Sequence, residues 1–463
     1  MAFPAHVLTG DANMNANDLT HGGVFKNLVR FSLPYLLSCF LQTFYGLADL
    51  FITGQFNGAS AITAVSVGSQ VTHMLTVIIV GLAMGSTVAI SRSVGAGDRR
   101  AASSCIGSTA VIFTVFSLAA TALLLLFTDG ILAALSTPAE AVPEARQYLT
   151  VCFAGVPFIT AYNVISSIFR GLGDTKRPMY FVAVAGVVNV GLDYLLIGPM
   201  GMGAMGAALA TVLAQGLSVV MALACMARME LGVSLSKEGF RGSHRHFAAI
   251  LKVGLPIALQ DGLIQIAFLV ITVIANKRGL DVAAAVGIVE KVICFLFLVP
   301  SAMLSSVSAI AAQNAGAGFH QRSRKTLACG IGISMAVGAV FAVLCQVWAE
   351  PILRLFAREE PLVIAMGAQY LRAYVLDCVI AGVHFCFSGY FCAYQRPLIS
   401  FGHNLASILL VRIPGAYLAS LWFPDSLYPM GLAAPLGSLL SSIICVAAYA
   451  WLTRRGAWED RRE

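Results

Sequence analysis

Long apolar segments recur along the whole sequence, and each is long enough to cross a lipid bilayer. About 20 helical residues, rising about 1.5 Å each, span a hydrocarbon core of about 30 Å. Of the 463 residues, 58% are hydrophobic and only 11% are charged, with a mean hydropathy of +0.83. Ordinary soluble domains are roughly 25% charged. We therefore predict an all-α integral membrane protein in a lipid bilayer.

Charged and Gly/Pro-rich loops divide the apolar segments into twelve predicted transmembrane helices. The first six lie near residues 28–53, 60–90, 102–128, 147–170, 178–198 and 203–228, and the second six near 250–276, 282–312, 326–350, 361–392, 397–422 and 430–453. The predicted domains are a mobile cytoplasmic tail (1–24), an N-lobe (25–228), a cytoplasmic linker (229–249), a C-lobe (250–455) and a second cytoplasmic tail (456–463).

Lysine and arginine residues concentrate in alternate loops. The loops of one predicted side carry most of them, and those of the other side hold only Arg146, Lys277, Arg278, Arg354 and Arg358. Under the positive-inside rule, both termini are cytoplasmic. The same distribution argues against nucleic acid as a partner, although the net charge is +7, because no continuous basic patch forms.

The two halves of the sequence resemble each other. FSLPYLL at 31–37 matches VGLPIAL at 253–259, VGAGD at 94–98 matches AGAGF at 315–319, and KRPM at 176–179 matches QRPL at 395–398. Because each half has an even number of spans, both have the same orientation, and the pseudo-two-fold axis is expected along the membrane normal. Two such six-helix lobes around a cleft are typical of alternating-access carriers.

Acidic residues within the N-terminal spans mark a candidate ion site. An isolated carboxylate at the bilayer centre costs at least about 2.5 kcal/mol, so such residues are functional candidates. Asp49 shares a helix face with Gln42, and Asn189 lies one turn before Asp193. Burial and a neighbouring like charge both favour the protonated aspartate. The alternative is that Asp49 faces the outer headgroups and Asp193 caps a helix end.

The C-terminal half carries a second set of intramembrane charges. Glu290 is predicted to meet Asp261, Asp377 or Arg412 across the helices, as a structural ion-pair network or as part of a transport pathway. His384 and His403 are interpreted as hydrogen-bonded core histidines, because no further ligand stands at metal spacing.

Several motifs together resemble the multidrug and toxic compound extrusion (MATE) transporters over nearly the whole chain after the tail. These motifs are FSLPYLLSCFLQTFYGLADLFITG, GAGD, RGLGDTKRPMY, NVGLDYLLI, GAALATVLAQ and IAAQNAGAG. The resemblance implies a cation-coupled exporter of amphipathic or cationic organic compounds that works by alternating access. In the proton-coupled branch, it places the coupling site at Asp49, Asn189, Asp193 and Thr211, with Pro34 as a hinge.

The same resemblance separates this sequence from a branch with a carboxylate in the seventh span. The nearest equivalents here are Ile264 and Gln265, and Asp261 lies about one turn earlier. Sodium at Asp49, Asn189 and Asp193 stays open, since carboxylate and amide oxygens suit that ion. The substrate cavity is expected to be apolar and aromatic, with polar groups that include Gln42, Tyr45 and Gln265.

The sequence thus predicts a monomeric antiporter of the bacterial inner membrane, coupled to H⁺ or Na⁺, without an organic cofactor and without enzyme activity. Two alternatives were weighed. A lipid-linked saccharide flippase of the same superfamily usually has about fourteen spans and a cationic cavity. An intramembrane enzyme with magnesium-binding carboxylates needs clustered aspartates near the cytoplasmic face, whereas Asp49 and Asp193 lie singly toward the outer ends of their spans.

Overall fold

The computed structural model describes residues 18–135, 137–228, 244–357, 360–456 and 458, and these fold into α-helices joined by short turns. The helices before residue 229 are α1 Val24–Phe56, α2 Ala59–Gly95, α3 Arg99–Leu126, α4 Thr128–Ala134, α5 Val142–Ala154, α6 Val156–Gly171, α7 Lys176–Ile197 and α8 Gly203–Arg228. The helices after residue 243 are α9 His244–Asn276, α10 Leu280–Leu296, α11 Leu298–Gly316, α12 His320–Arg354, α13 Pro361–Tyr374, α14 Asp377–Ala393, α15 Pro397–Ser407, α16 Ile413–Trp422, α17 Tyr428–Gly431 and α18 Ala433–Arg454, with a π-helical segment Ile408–Arg412 between α15 and α16.

The predicted number of spans agrees with these helices. Among the described residues, 11 helical segments are long and apolar enough to cross a membrane, and one bent pair brings the number to 12. The bent pair is α5 and α6, which meet at an angle of 47° and replace the single span predicted at 147–170. Gly155 lies at the bend, and a Cβ there would overlap Val212 of α8. Val212 of α8 therefore packs directly against the bend.

Two compact units divide the chain, and two helices contribute to both. Unit 1 contains Leu33–Gly254, and unit 2 contains Leu19–Ser32 with the chain from Leu255 onward. The first turns of α1 therefore group with unit 2, and the first turns of α9 with unit 1, which shifts both predicted lobe boundaries. Pro34 and Pro256 lie inside these helices, within two residues of the change of unit. The hinge at Pro34 stays a prediction.

Part of the predicted N-terminal tail is attached to unit 2. The Leu19 backbone N–H donates to Gln313 Oε1 at 3.3 Å, and Asn314 Nδ2 donates to the Leu19 carbonyl at 3.3 Å. Arg322 donates through Nη1 to the Gly22 carbonyl at 3.0 Å. Gln313 and Asn314 belong to the motif IAAQNAGAG, so residues that we expected to be mobile are held at the end of α11. Residues 1–17 of the tail lie outside the described residues.

Trp458, near the C-terminal end of the chain, is buried among aromatic side chains of unit 2. Its side chain is 1% exposed, and its ring packs against Tyr390, Tyr394 and Tyr449 at centroid distances of 5.1, 5.0 and 5.4 Å. The indole N–H donates to Thr453 Oγ1 at 2.8 Å. The rest of the predicted tail, at 457 and 459–463, lies outside the described residues. The predicted linker 229–249 does so as far as residue 243, after which α9 begins.

Glycines bring helix backbones into direct contact inside each unit. In unit 1, a Cβ at Gly85 would overlap the Ile250 carbonyl oxygen, and one at Gly254 would overlap that of Leu82. In unit 2, a Cβ at Gly389 would overlap the carbonyl oxygen of Leu304. Within lipid, helices associate through such close van der Waals packing because hydrocarbon chains are as apolar as their side chains. In unit 2, this packing places α14, which carries Asp377, directly against α11.

Candidate ion and substrate sites

The predicted acidic residues of unit 1 come together from three helices. Asp49 lies on α1, Asn189 and Asp193 lie one turn apart on α7, and Thr211 lies on α8. Thr211 Oγ1 donates to Asp49 Oδ2 at 3.1 Å, and Asp49 faces both α7 residues. Asp49 is 5% exposed, and Asn189 and Asp193 are 0% exposed. The four residues form one enclosed polar group, which we call the acidic cluster.

Several oxygens of the acidic cluster lack a hydrogen bond. Among the described residues, Asp49 Oδ1, both carboxyl oxygens of Asp193 and both amide atoms of Asn189 are buried without a hydrogen-bond partner. Leaving a buried polar atom unsatisfied costs about 1–3 kcal/mol, and an ionised carboxylate costs more. The four acceptor oxygens among these atoms are suited to binding a proton or a cation.

The chemistry of these oxygen atoms fits both predicted coupling ions. A proton bound by one aspartate would supply the missing hydrogen-bond donor between the two carboxyl groups and would reduce the buried charge. Sodium is a hard cation that binds carboxylate and amide oxygens, which Asp49, Asp193 and Asn189 provide. Because the residues suit both ions, the identity of the ion stays a prediction.

Two neighbours of the acidic cluster were not nominated from the sequence. Gln215 Nε2 donates to Tyr45 Oη at 3.0 Å, and Gln215 lies one turn after Thr211 on α8. A polar residue one turn from Thr211 in an apolar span is a signal that the sequence contains. Tyr148 of α5 is 2% exposed and interacts electrostatically with Asp49 and Asp193. No local pattern indicates Tyr148, because it reaches the cluster only through tertiary packing.

The predicted substrate-cavity residues belong to different units. Gln42 and Tyr45 lie on the part of α1 in unit 1, and both are partly exposed. Gln265 lies on the part of α9 in unit 2 and is also partly exposed. Their role in substrate binding stays a prediction.

A second polar group lies inside unit 2 around Arg412, at the end of the π-helical segment. Its Nη2 lies 3.4 Å from Asp377 Oδ2 and donates to Tyr374 Oη at 2.8 Å. The guanidinium also stacks over the ring of Phe268, 5.3 Å from its centroid. Asp377 is 0% exposed. Asp377 and Arg412 therefore form an ion pair whose carboxylate is fully buried. Such π-helical turns occur frequently at functional sites.

The other two acidic residues of unit 2 have different surroundings. Glu290 accepts from Thr272 Oγ1 at 3.3 Å and interacts electrostatically with Arg412, and its Oε1 is buried without a hydrogen bond to any described residue. Asp261 instead accepts a long hydrogen bond from Gln260 Nε2 at 3.5 Å. The structure thus places Glu290 beside the Asp377–Arg412 pair. Asp261 has only its sequence neighbour as a hydrogen-bond partner among the described residues.

Buried carboxylates within the membrane helices of a polytopic protein are typical of membrane transporters. The chain is a member of the MatE family, the MATE transporters, whose family model matches residues 34–195 and 256–418. The two matched stretches begin at Pro34 and Pro256 and correspond to the two halves recognised in the sequence. The resemblance to this family is therefore confirmed, and the protein is a transporter and not an enzyme.

Curated relatives cover nearly the whole chain. The probable multidrug resistance protein YpnP of Bacillus subtilis is 31% identical over 446 residues, covering 96% of this chain and 98% of that protein. An FAD transporter of Shewanella oneidensis is 26% identical, covering 90% and 92% of the two chains. The probable multidrug resistance protein NorM of Thermotoga maritima is 24% identical, covering 94% and 93%.

Solved structures share the fold. A MOP superfamily transporter from Pyrococcus furiosus matches with a TM-score of 0.88 and 21% identity over 96% of this chain and 98% of that chain. A MATE crystal structure in the bent conformation matches with a TM-score of 0.87 and 22% identity over the same shares. The predicted architecture, twelve transmembrane helices in two lobes, is thereby confirmed.

Proposed function

We propose that the protein is a secondary active multidrug exporter that antiports amphipathic or cationic organic compounds against protons. The observation that carries the proposal is the acidic cluster, in which two buried carboxyl groups share one enclosed space with unsatisfied acceptor oxygens. Two of the curated relatives described above are named as probable multidrug resistance proteins, which supports drugs as the substrate class. Sodium is the alternative coupling ion at the same residues.

The proposed coupling of ion entry to substrate export follows from the charge of the acidic cluster. With both carboxyl groups ionised, unit 1 would hold two negative charges in an apolar interior, so an ion from outside neutralises charge when it binds. An ion shifts the equilibrium between outward-open and inward-open states only as far as it binds one state better than the other. A substrate that prefers the ion-free state is then exported when the ion enters.

The proposal includes a location and a set of partners. The protein acts as a monomer in the bacterial inner membrane, with both termini in the cytoplasm, and its partners are small organic compounds and the lipid bilayer. The lipid-linked saccharide flippase stays as the alternative substrate class. Because one relative is named an FAD transporter, FAD also belongs in the substrate panel.

The test is export from proteoliposomes under one imposed gradient at a time. We expect an inward proton gradient to drive the export of a fluorescent organic cation. Asp49→Asn and Asp193→Asn should each lower this transport at least about tenfold, because an amide takes up no proton in this pH range. Asp281→Asn, at an exposed position in the first turn of α10, is the matched control and should transport like wild type.

Three results would contradict parts of the proposal. Full gradient-driven transport by both aspartate variants would exclude the acidic cluster as the coupling site. Transport driven by a sodium gradient alone, at equal pH on both sides, would replace the proton by sodium. Movement of a lipid-linked saccharide or FAD, without movement of the cation, would change the substrate class.

A further inference from the structure

One arginine is buried inside unit 1 without a counter-ion. Arg170 lies in the last turn of α6 and is 6% exposed. Among the described residues, no ion pair includes Arg170, and its Nε is buried without a hydrogen-bond partner. A guanidinium keeps its positive charge in proteins, and burying a charge is costly unless it is paired. An anion that reached Arg170 would therefore be bound favourably.

The neighbours of this guanidinium are aromatic or polar but carry no negative charge. It stacks over the ring of Tyr35 on α1, 4.9 Å from the ring centroid. It also interacts electrostatically with Tyr162 of α6 and with Cys39 of α1. Stacking uses the face of a guanidinium and leaves the N–H groups at its edge able to donate. The edge formed by Nε and one Nη can bind a carboxylate or phosphate through two parallel hydrogen bonds.

The helices around Arg170 supply no carboxylate to balance it. The three helices that pack most extensively against α6 are α2, α3 and α8, and these contain no Asp or Glu. The acidic residues of α1 and α7 belong to the acidic cluster. Asp174, in the turn after α6, instead pairs with Arg177 at 2.9 Å. In unit 2, by contrast, Arg412 is balanced by Asp377.

The turn after α6 closes without the guanidinium of Arg170. Arginine side chains near the end of a helix often bond to its last carbonyl groups. Here the Arg170 carbonyl accepts from the Gly173 backbone N–H at 3.0 Å. The Phe169 carbonyl accepts from the Asp174 backbone N–H at 2.8 Å. Backbone donors therefore perform the capping that would otherwise explain an arginine at this position.

One face of α1 connects Arg170 to the acidic cluster. Tyr35, Cys39, Gln42 and Asp49 are spaced four, three and seven residues apart, so they lie along one face of this helix. At about 1.5 Å per residue, Asp49 lies about 21 Å along the helix from Tyr35. Tyr35, Cys39 and Gln42 are partly exposed. Gln42, a predicted substrate-cavity residue, therefore lies between the buried arginine and the acidic cluster.

We propose that Arg170 and Tyr35 form a binding site for a singly charged oxyanion, the carboxylate or phosphodiester group of an amphipathic compound. The Nε–H and one Nη–H of Arg170 donate to two oxygens of the ligand, and the Tyr35 ring contacts its apolar part. One negative charge neutralises the guanidinium, whereas a second would stay unpaired in an apolar interior. The site lies at the end of unit 1 that is expected to face the cytoplasm. Its role in export rests on the proposed function, whereas anion binding itself does not.

Equilibrium dialysis of the full-length protein in phosphatidylcholine nanodiscs tests the site without any transport. The probes are naphthoate and its uncharged amide, naphthamide, and empty nanodiscs correct for partitioning into lipid. We expect wild type to bind naphthoate at least about tenfold more tightly than naphthamide, because only the carboxylate pairs with the guanidinium. Arg170→Met should abolish this preference, and Arg170→Lys should keep part of it. Arg228→Met, at an exposed position in the last turn of α8, is the matched control and should bind like wild type.

Two further probes define the anion. Naphthyl phosphate, which carries two negative charges at about pH 8, should bind more weakly than naphthoate because its second charge has no partner. Tighter binding of naphthyl phosphate would overturn the preference for a single charge. Phosphatidylglycerol in the nanodiscs distinguishes the sources of the oxyanion. Weaker naphthoate binding in its presence would identify a lipid headgroup as the natural ligand, and unchanged binding would identify a soluble compound.

Thermal unfolding separates a binding role of Arg170 from a structural one. Without ligand, Arg170→Met should be at least as stable as wild type, because an apolar side chain replaces an unpaired buried charge. Naphthoate should raise the melting temperature of wild type and not that of the variant. If Arg170→Met fails to fold, Tyr35→Leu, which removes the stacked ring, should lower the affinity for naphthoate severalfold.

The anion site fails if wild type binds naphthoate and naphthamide equally. It also fails if Arg170→Met, or in its place Tyr35→Leu, binds naphthoate as tightly as wild type does. A variant that loses stability, together with a wild type that naphthoate does not stabilise, would make Arg170 a structural residue. Failure of proton-driven export would instead contradict the proposed function and leave the anion site untouched.

Discussion

At the scale of single residues, the two halves form the same kind of turn with different residues at the position of positive φ. After α6, Gly173 adopts a φ of 87°, and after α14, Gln395 adopts a φ of 55°. Both turns close with the same pair of backbone hydrogen bonds, Gly173 N–H to the Arg170 carbonyl and Gln395 N–H to that of Cys392, each at 2.9–3.0 Å and each followed by a second bond from the next residue. Left-handed backbone costs a side-chain-bearing residue about 1–2 kcal/mol.

The strain at Gln395 gives the first prediction. Gln395→Gly should raise the free energy of unfolding by about 1 kcal/mol, since glycine adopts positive φ without a Cβ penalty. Gly173→Gln should lower it by a similar amount. Thermal unfolding in detergent measures both changes. Gln395→Ala is the control, because it shortens the side chain but keeps the Cβ. If alanine raised the free energy of unfolding as much as glycine does, the glutamine side chain, and not the positive φ, would be the source of the strain.

Thr211 gives the second prediction, because its hydroxyl donates a hydrogen bond to the carboxyl group of Asp49. Thr211→Val keeps the shape and removes the hydroxyl, which leaves the carboxylate less stabilised relative to the carboxylic acid. We expect the midpoint of the pH profile of transport to move upward by roughly half to one pH unit. Thr211→Ser should keep the wild-type profile. An unshifted profile in the valine variant would mean that Thr211 does not act on the ionisation of Asp49.

At the scale of helices, close backbone packing positions the polar groups of unit 2. A Cβ at Gly338 of α12 would overlap the carbonyl oxygen of Cys378, the residue after Asp377 on α14, and would lie 3.0 Å from Val379 Cα. Those neighbours are backbone atoms, which a rotamer change cannot move aside. Gly332 lies on the same helix with nothing within 4 Å of the corresponding position. The two glycines therefore form a matched pair.

The pair gives the third prediction. Gly338→Ala should destabilise the protein by about 1–3 kcal/mol, because inserting a methyl group into close packing forces the two helices apart. Gly332→Ala should be neutral or slightly stabilising, since alanine favours the helix. Thermal unfolding in detergent compares them under equal conditions. If both substitutions have the same effect, then helix propensity and not packing determines the result.

At the scale of the whole molecule, the distribution of Lys and Arg among the loops sets the expected orientation. The loop that contains Asp425, between α16 and α17, is predicted to face outward, whereas the C-terminus is predicted to be cytoplasmic. The fourth prediction uses fusions at these two points. A green fluorescent protein after Glu463 should fluoresce, and alkaline phosphatase inserted after Asp425 should be active.

The converse result, an active phosphatase at the C-terminus with none after Asp425, would invert the proposed topology. The positive-inside rule acts on short loops near helix ends, which is the kind of loop that connects these helices. The inverted topology would also reverse the direction in which the acidic cluster receives its ion. The proposed export would then become import.

The sequence by itself determined the membrane class, the number of spans and the repeat. Each of these depends on local hydropathy or on short motifs, and 20 apolar residues are sufficient to specify a span. The faces of single helices were also accessible, since Asn189 and Asp193 lie one turn apart on any helix. Thr211 entered the site only through the resemblance to the family.

Only the tertiary structure decided which polar groups meet. Thr211 reaches Asp49 across 162 residues of sequence, and Leu19 is held by Asn314 across 295. His384 and His403 come into contact because α14 packs against α15, and Val212 of α8 packs against the bend at Gly155. Hydropathy records that a helix is buried but not which neighbour it meets, because in lipid the choice depends on close packing of small residues and not on apolar area.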